Sequence, residues 1–138
     1  MNFKVKVLGE VFEKLEIIKS SMGEFERCGV LFGKAHGNEV QITDIAEIEN
    51  VKKSPVEFEL DPLQTLKAFE RAEESGIDVV GVWHTHPSWI AYPSKKDMEG
   101  MKIYPGIWIV ISKSEVRAYF GDEKGFVEVE LKITGSPR

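Results

Sequence analysis

The sequence predicts a mixed α/β or α+β domain, in which a central sheet of about six to eight strands is flanked by two or three helices. Three observations carry this prediction. Short segments of strand-like alternation recur along the chain, segments of helical periodicity separate them, and residues 77–83 are almost continuously apolar, as in a strand covered on both faces. No internal repeat or linker interrupts the 138 residues, so we expect one domain over residues 1–138.

The first third of the chain begins with a strand and a helix. Residues 3–8 alternate between apolar and basic side chains, which is typical of a strand with one solvated face. Apolar residues at helical spacing then predict a helix of about three turns, which Gly23 ends. The strands predicted next are 28–32 and 40–48, joined by a hairpin turn at 34–38, followed by a short strand at 56–60.

The second helix has a clear start at Asp61. Aspartate caps a helix, Pro62 suits the first helical position, and Gln64 at the third position can reach back to the cap. We expect this helix to run to about Ser75 and to bury one apolar stripe, formed by Leu63, Leu66, Phe69 and Ala72. A third helix is predicted from Ser94, and the strands after it are 107–112, 116–120 and 126–133.

Composition excludes several classes of protein. The charged fraction is 30% and the net charge is -5, which argues against non-specific binding of nucleic acid. A single cysteine, Cys28, excludes an intrachain disulfide and any multi-cysteine zinc finger, and it fits a reducing cytoplasm. The longest apolar run, 107–111, is far shorter than a membrane span, and the first ten residues do not resemble a signal peptide. We therefore expect a cytoplasmic protein, as a monomer or a homodimer.

Two of the three histidines, His84 and His86, end the buried strand that starts near residue 77. Side chains alternate along a strand, so both imidazoles lie on one face and Thr85 lies on the other. Two imidazoles side by side can share one cation, although a His-x-His pair by itself is weak evidence for a metal. Pro87 ends the strand directly afterwards and places the pair at a sheet edge or cleft.

Ser94 and Asp97 add a possible third ligand. Ser-x-x-Asp fits a capping box, although Glu or Gln is commoner at its last position. The cap would place the Asp97 carboxylate in the first helical turn, where its charged form is favoured. Two nitrogens and one oxygen are a donor set that zinc accepts while keeping a position for water. Such a site suits hydrolysis of an amide, because zinc polarises a carbonyl and lowers the pKa of water.

The assembled pattern, His-Thr-His-Pro, six residues and Ser-Lys-Lys-Asp, resembles the signature of the JAMM (MPN+) metalloproteases. Residues 26–33, Glu-Arg-Cys-Gly-Val-Leu-Phe-Gly, resemble a second segment of that family. The resemblance covers residues 3–133 and implies the MPN/JAMM fold, which is cytidine-deaminase-like. It is greatest to the compact archaeal and bacterial members.

The resemblance implies roles for five residues. One zinc ion per chain would be held by His84, His86 and Asp97 plus a water, with Glu26 as the general acid/base and Ser94 stabilising the oxyanion. It also implies an isopeptidase that cleaves after the C-terminal glycines of ubiquitin-like modifiers, such as small archaeal modifier proteins, and releases them from target lysines. Glycine has no side chain, so such a tail can lie extended in a narrow groove.

Alternatives remain open at this level. The chain could be a non-catalytic MPN-type scaffold, although it lacks none of the ligands, or a peptidase that trims sulfur-carrier proteins or amino-acid adducts. A zinc deaminase is excluded because it needs further cysteines. Cys28 is expected to be a small core residue and His36 an exposed turn residue. Trp89, Ile90 and Tyr92 either pack locally or form an apolar wall for a substrate tail.

Overall fold

The computed structural model describes residues 3–135 of the chain. These residues form one mixed α+β domain of eight strands and three helices, which confirms the predicted fold class. In chain order the elements are β1 (Lys4–Leu8), α1 (Gly9–Ser20), β2 (Cys28–His36), β3 (Glu39–Ile48), α2 (Pro62–Glu74), β4 (Asp78–His86), α3 (Lys95–Ile103), β5 (Gly106–Ser112), β6 (Val116–Asp122), β7 (Gly125–Val129) and β8 (Leu131–Thr134).

All eight strands belong to one curled sheet, in the order β7-β6-β5-β4-β2-β3-β1-β8. The strands β7 and β8 lie at opposite edges, yet only Glu130 separates them in the chain. The sheet must therefore curl until its two edges meet at that residue. The single strand predicted over 126–133 is wrong for this reason, because its first half pairs with β6 and its second half pairs with β1.

Helices cover both faces of the sheet. The buried residues of α1 pack into one core inside the curl, together with Ile107, Ile109 and Ile111 of β5. Trp108 and Val110 of the same strand point to the other face, where the cores of α2 and α3 lie. Within residues 3–135, no helix has the length and apolar character needed to cross a bilayer.

The buried face of α2 differs from the predicted one. Leu63, Leu66 and Phe69 are exposed by 60%, 57% and 44%, and of the four predicted residues only Ala72 is buried. The helix instead lies on the sheet through small side chains, those of Thr65, Ala68 and Ala72. Small residues allow the helix backbone to approach the sheet closely, and the large apolar side chains are left facing outward.

Three other local predictions need correction. Residues 56–60 are not a strand, since only a single bridge joins Leu60 to Asn50. Asp61 caps α2 as predicted, by accepting from the Gln64 N–H. The Gln64 side chain, however, does not reach back, because its Oε1 accepts a hydrogen bond from the Glu49 N–H. The hairpin turn is also tighter than predicted, with β2 running to His36 and β3 starting at Glu39.

Candidate metal centre

The end of β4 presents His84 and His86 on one face of the sheet, as strand alternation requires. The strand lies in the middle of the sheet, antiparallel to β2 and parallel to β5, so both histidines are buried. Thr85 points to the other face, where its Oγ1 accepts a hydrogen bond from the Arg27 N–H at 2.8 Å. Pro87 follows the last residue of β4. Two imidazoles are thereby fixed where the strand ends.

The first turn of α3 brings Asp97 to the same point. Ser94 is the N-cap, and its Oγ accepts from the Asp97 N–H at 3.1 Å. In return, Asp97 Oδ2 accepts from the Ser94 N–H at 2.9 Å, which completes the predicted capping box. This reciprocal cap orients the carboxylate toward the end of β4 before any ligand binds.

The three side chains converge on one point. His84 Nε2 lies 3.0 Å from His86 Nε2 and 3.0 Å from Asp97 Oδ2, and His86 Nε2 lies 3.1 Å from the same oxygen. Three atoms in such a triangle all lie about 2 Å from one point beside its plane, which is the length of a zinc–ligand bond. The donor set and its spacing therefore fit a zinc ion, with a fourth position left open.

The surroundings shift the pKa values of the two histidines in opposite directions. Burial lowers the pKa of His84, which keeps that imidazole neutral. Burial would also lower the pKa of His86, but hydrogen bonds to Asp97 and to the Ile90 carbonyl hold it above its usual value. The contact of 2.7 Å between His86 Nδ1 and the Ile90 oxygen requires a proton on Nδ1, because a carbonyl only accepts. Once His86 is neutral, its Nε2 is then free to act as a ligand.

Asp97 is held ionised despite its burial. Burial would raise the pKa of its carboxyl group, but His84, His86 and the Ser94 N–H hold that pKa well below its usual range. A proton and a divalent cation compete for the space between the carboxylate and the imidazoles. Metal binding must therefore release whatever proton is shared there.

Glu26 lies beside this triangle, two residues before β2. One of its carboxylate oxygens lies within 4.8 Å of the ligand-type nitrogens of both histidines. The residue is buried, and its Oε1 has no hydrogen-bond partner among residues 3–135. Burial raises the pKa of Glu26 to about 8. A cation between the histidines would lower that pKa, because a nearby opposite charge favours the ionised form. Burying a carboxyl group without a hydrogen-bond or ionic partner destabilises the folded protein, so the position of Glu26 favours a ligand that interacts with it.

The model of the family of prokaryotic homologs of the JAB domain matches residues 18–121, which is most of the chain. The chain belongs to this family. It is 42% identical to the desampylase of Pyrococcus furiosus over 120 residues, which cover 86% of this chain and 81% of that protein. It is 36% identical to the desampylase of Haloferax volcanii over 113 residues, which cover 78% of each. A solution structure of a Desulfitobacterium hafniense protein has the same fold, with a TM-score of 0.84 at 22% identity over 96% of this chain and 94% of that one.

Membership in the JAB family confirms the resemblance to the JAMM proteins. Members are zinc metalloproteases, and the buried group that includes Glu26, His84 and His86 can hold a metal. The chain is accordingly a hydrolytic metalloprotease of the isopeptidase type. The non-catalytic scaffold is thereby set aside.

The loop between β4 and α3 divides its aromatic residues between two roles. Tyr92 packs edge-on against Tyr119 and Phe126, which is local packing. Trp89 is half-exposed and lines a cavity of ≈ 230 Å³ next to the site. The other residues that line this cavity are Glu26, Pro55, Val56, His86, Ser88 and Ser94. Local packing is thus confirmed for Tyr92, whereas an apolar wall for a substrate tail at Trp89 stays a prediction.

The structure adds two residues that sequence reasoning missed. Phe58 stacks on the His84 ring with centroids 4.6 Å apart, and the buried Asn50 contacts the Glu26 backbone. Neither lies in a motif, and each comes from the loop that was expected to hold a short strand. Cys28 is buried as predicted, with its pKa raised by burial to about 12, and His36 is exposed as predicted but ends β2 instead of lying in the turn.

Proposed function

We propose that this protein hydrolyses the bond that follows the C-terminal glycines of a ubiquitin-like modifier and so releases the modifier from target lysines. The observation that carries the proposal is the convergence of two imidazole nitrogens and one carboxylate oxygen within 3.1 Å, with the carboxyl group of Glu26 beside them. The desampylases to which the chain is similar support the choice of substrate.

In this proposal His84, His86 and Asp97 hold the metal. When bound, zinc polarises the scissile carbonyl and makes a water more acidic. Glu26 takes the proton of the attacking water and returns it to the leaving amine, so it need not bind the metal. The Ser94 hydroxyl already accepts from the Asp97 N–H, and its own proton remains available for the developing oxyanion.

A groove of ≈ 460 Å³ between residues 57–60 and α3 suits an extended tail, and Asp97 lies at its inner end. Glu57 and Glu59 direct their bonded backbone groups toward residues 50 and 51. Phe58 lies between them and lines the groove, and no backbone hydrogen bond engages its N–H or C=O among the described residues. A tail without side chains can add there as a strand.

The cavity beside Trp89 suits the other side of the scissile bond. Its walls are apolar at Pro55, Val56 and Trp89, and Glu26 and His86 form its inner end. The four methylenes of a target lysine can lie along such walls while the amide reaches the metal. Groove and cavity together therefore account for an isopeptide substrate.

Cleavage of a defined conjugate tests the proposed function. The purified protein is incubated with a ubiquitin-like modifier joined to a lysine side chain, after chelation of metal and again after addition of zinc. We expect cleavage only with zinc, and the product should carry an intact glycine terminus. Full activity in excess chelator would contradict the metal mechanism. Cleavage of linear fusions or amino-acid adducts alone would instead favour the trimming of sulfur-carrier proteins.

The exposed stripe of α2, formed by Leu63, Leu66 and Phe69, is the proposed contact for the folded body of the modifier. The stripe begins where the groove ends, because Leu60 and Pro62 line the groove and Leu63 follows directly. Exposed apolar patches of this kind mark binding surfaces.

Leu66→Glu is expected to raise KM for the conjugate at least about tenfold, because a charge is placed in an apolar contact, with kcat unchanged. Lys67→Glu is the matched control, since Lys67 is also exposed on α2 but is not part of the stripe. Steady-state kinetics of both variants, on the conjugate and on a short tail peptide, give KM and kcat. An equal rise in KM for the peptide would contradict contact with the modifier body.

A further inference from the structure

The backbone of Glu26 is held on both sides by one loop, residues 50–60. Its N–H donates to the Ser54 carbonyl at 2.8 Å, and its C=O accepts from Asn50 Nδ2 at 2.9 Å. Glu26 precedes β2 and therefore has no ladder hydrogen bonds to fix it. Its neighbour Arg27 is joined to Thr85 of β4 through both backbone groups, and the loop adds a direct restraint on Glu26 itself.

Asn50 is the centre of that loop. Its Nδ2 donates to the carbonyls of Glu26 and Glu57, at 2.9 and 3.1 Å. Its Oδ1 accepts from the N–H groups of Lys52 and Glu59, both at 3.0 Å. Only one orientation of the amide satisfies all four contacts, because two carbonyls face one end and two N–H groups face the other. The side chain is buried, 9% exposed, and its hydrogen-bonding capacity is fully used.

None of the three Asn50 contacts to the loop requires a role in catalysis, but the contact to Glu26 does more than close a turn. The Oε1 atom of Glu26 is buried and has no hydrogen-bond partner among residues 3–135. No hydrogen bond at that atom therefore fixes the orientation of the side chain. The backbone contacts from Asn50 and Ser54 fix the point from which the Glu26 side chain extends toward the site. A displacement of about 1 Å in such a group can lower a rate about 100-fold.

We propose that Asn50 is a positioning residue, which holds the carboxylate of Glu26 in register with the metal site through the Glu26 carbonyl. The inference rests on the proposed role of Glu26 as general acid/base. Asn50 touches neither substrate nor metal ligand in this account. It acts through the backbone of Glu26, the proposed general acid/base.

Asn50→Asp tests the inference, because it keeps the acceptor oxygen and turns the donor end into an oxygen that faces two carbonyls. We expect kcat at saturating conjugate to fall by roughly 10- to 100-fold. Zinc should stay at one per chain, and the Glu26 amide should exchange with solvent at least about tenfold faster. Gln64→Glu is the matched control, since its Oε1 accepts from the Glu49 N–H nearby without contact to Glu26. It should change neither kcat nor the exchange rate.

The outcomes separate this inference from the proposed function. A kcat within twofold of the unsubstituted protein, with only KM raised or stability lowered, would overturn the positioning role. If Asn50→Asp does not fold, Asn50→Ala removes the same donors without adding charge, and the same criteria apply. Glu26→Gln is measured alongside. If that variant stays active, the proposed role of Glu26 fails first, whereas an inactive Glu26→Gln beside a fully active Asn50→Asp refutes the inference alone.

Discussion

Glu26→Gln is expected to lower kcat for conjugate cleavage by roughly 100- to 10,000-fold, the usual contribution of a general acid/base. The amide fills the same space but cannot take a proton from water or return it to the leaving amine. Zinc content should stay at one per chain, because the three closely spaced ligand atoms belong to other residues. Turnover and elemental analysis of the same preparation measure both quantities.

Glu24→Gln is the control for this experiment, since Glu24 lies two residues away and is exposed. It should leave kcat unchanged. Near-normal turnover by Glu26→Gln would show that another group moves the proton. Loss of zinc from Glu26→Gln would show instead that Glu26 is a ligand, and the roles assigned around the triangle would then have to change.

His84→Ala is expected to remove both zinc and activity. The loss of one of three protein ligands should weaken zinc binding more than roughly 100-fold, beyond the effect of removing an outer hydrogen bond to a ligand. His84 is fully buried between Phe58 and Trp108, so the truncation also leaves a small cavity, and unfolding must be monitored in parallel.

The exposed His36 provides the control, because His36→Ala removes an imidazole far from this point of the fold. Zinc titration of the metal-free His84→Ala and His36→Ala variants should show weakened zinc binding only for His84→Ala. Retention of stoichiometric, tightly bound zinc by His84→Ala would contradict its assignment as a ligand.

The convergence of His84, His86 and Asp97 could be predicted from the sequence because local rules place these residues. Strand alternation puts His84 and His86 on one face, and a capping box turns Asp97 toward them. Strand alternation and the capping box each involve fewer than five consecutive residues, so a short sequence motif can specify them. That these residues bind zinc stays a prediction, and their convergence within 3.1 Å supports it.

Glu26 could not be found in this way. It lies 58 residues before His84 and reaches the site only because β2 pairs with β4, with Cys28 opposite His84. That register is a property of the whole sheet, and no local pattern distinguishes Glu26 from the other glutamates. Only the family resemblance pointed to it.

Two further differences have physical reasons. The buried face of α2 was mispredicted because hydrophobicity favours Leu63, Leu66 and Phe69, whereas close packing on the sheet favours Ala68 and Ala72. Asn50 could not be predicted because a single buried polar residue has no periodic pattern in the sequence. Its four hydrogen-bond partners come together only in the folded loop.

The most direct test of the metal centre is a crystal structure of the zinc-loaded protein with data collected on both sides of the zinc absorption edge. The account predicts one anomalous peak per chain, about 2 Å from His84 Nε2, His86 Nε2 and an Asp97 oxygen, with Glu26 outside bonding distance. A peak at any other cluster of side chains, or none at this triangle in crystals with stoichiometric zinc, would contradict it.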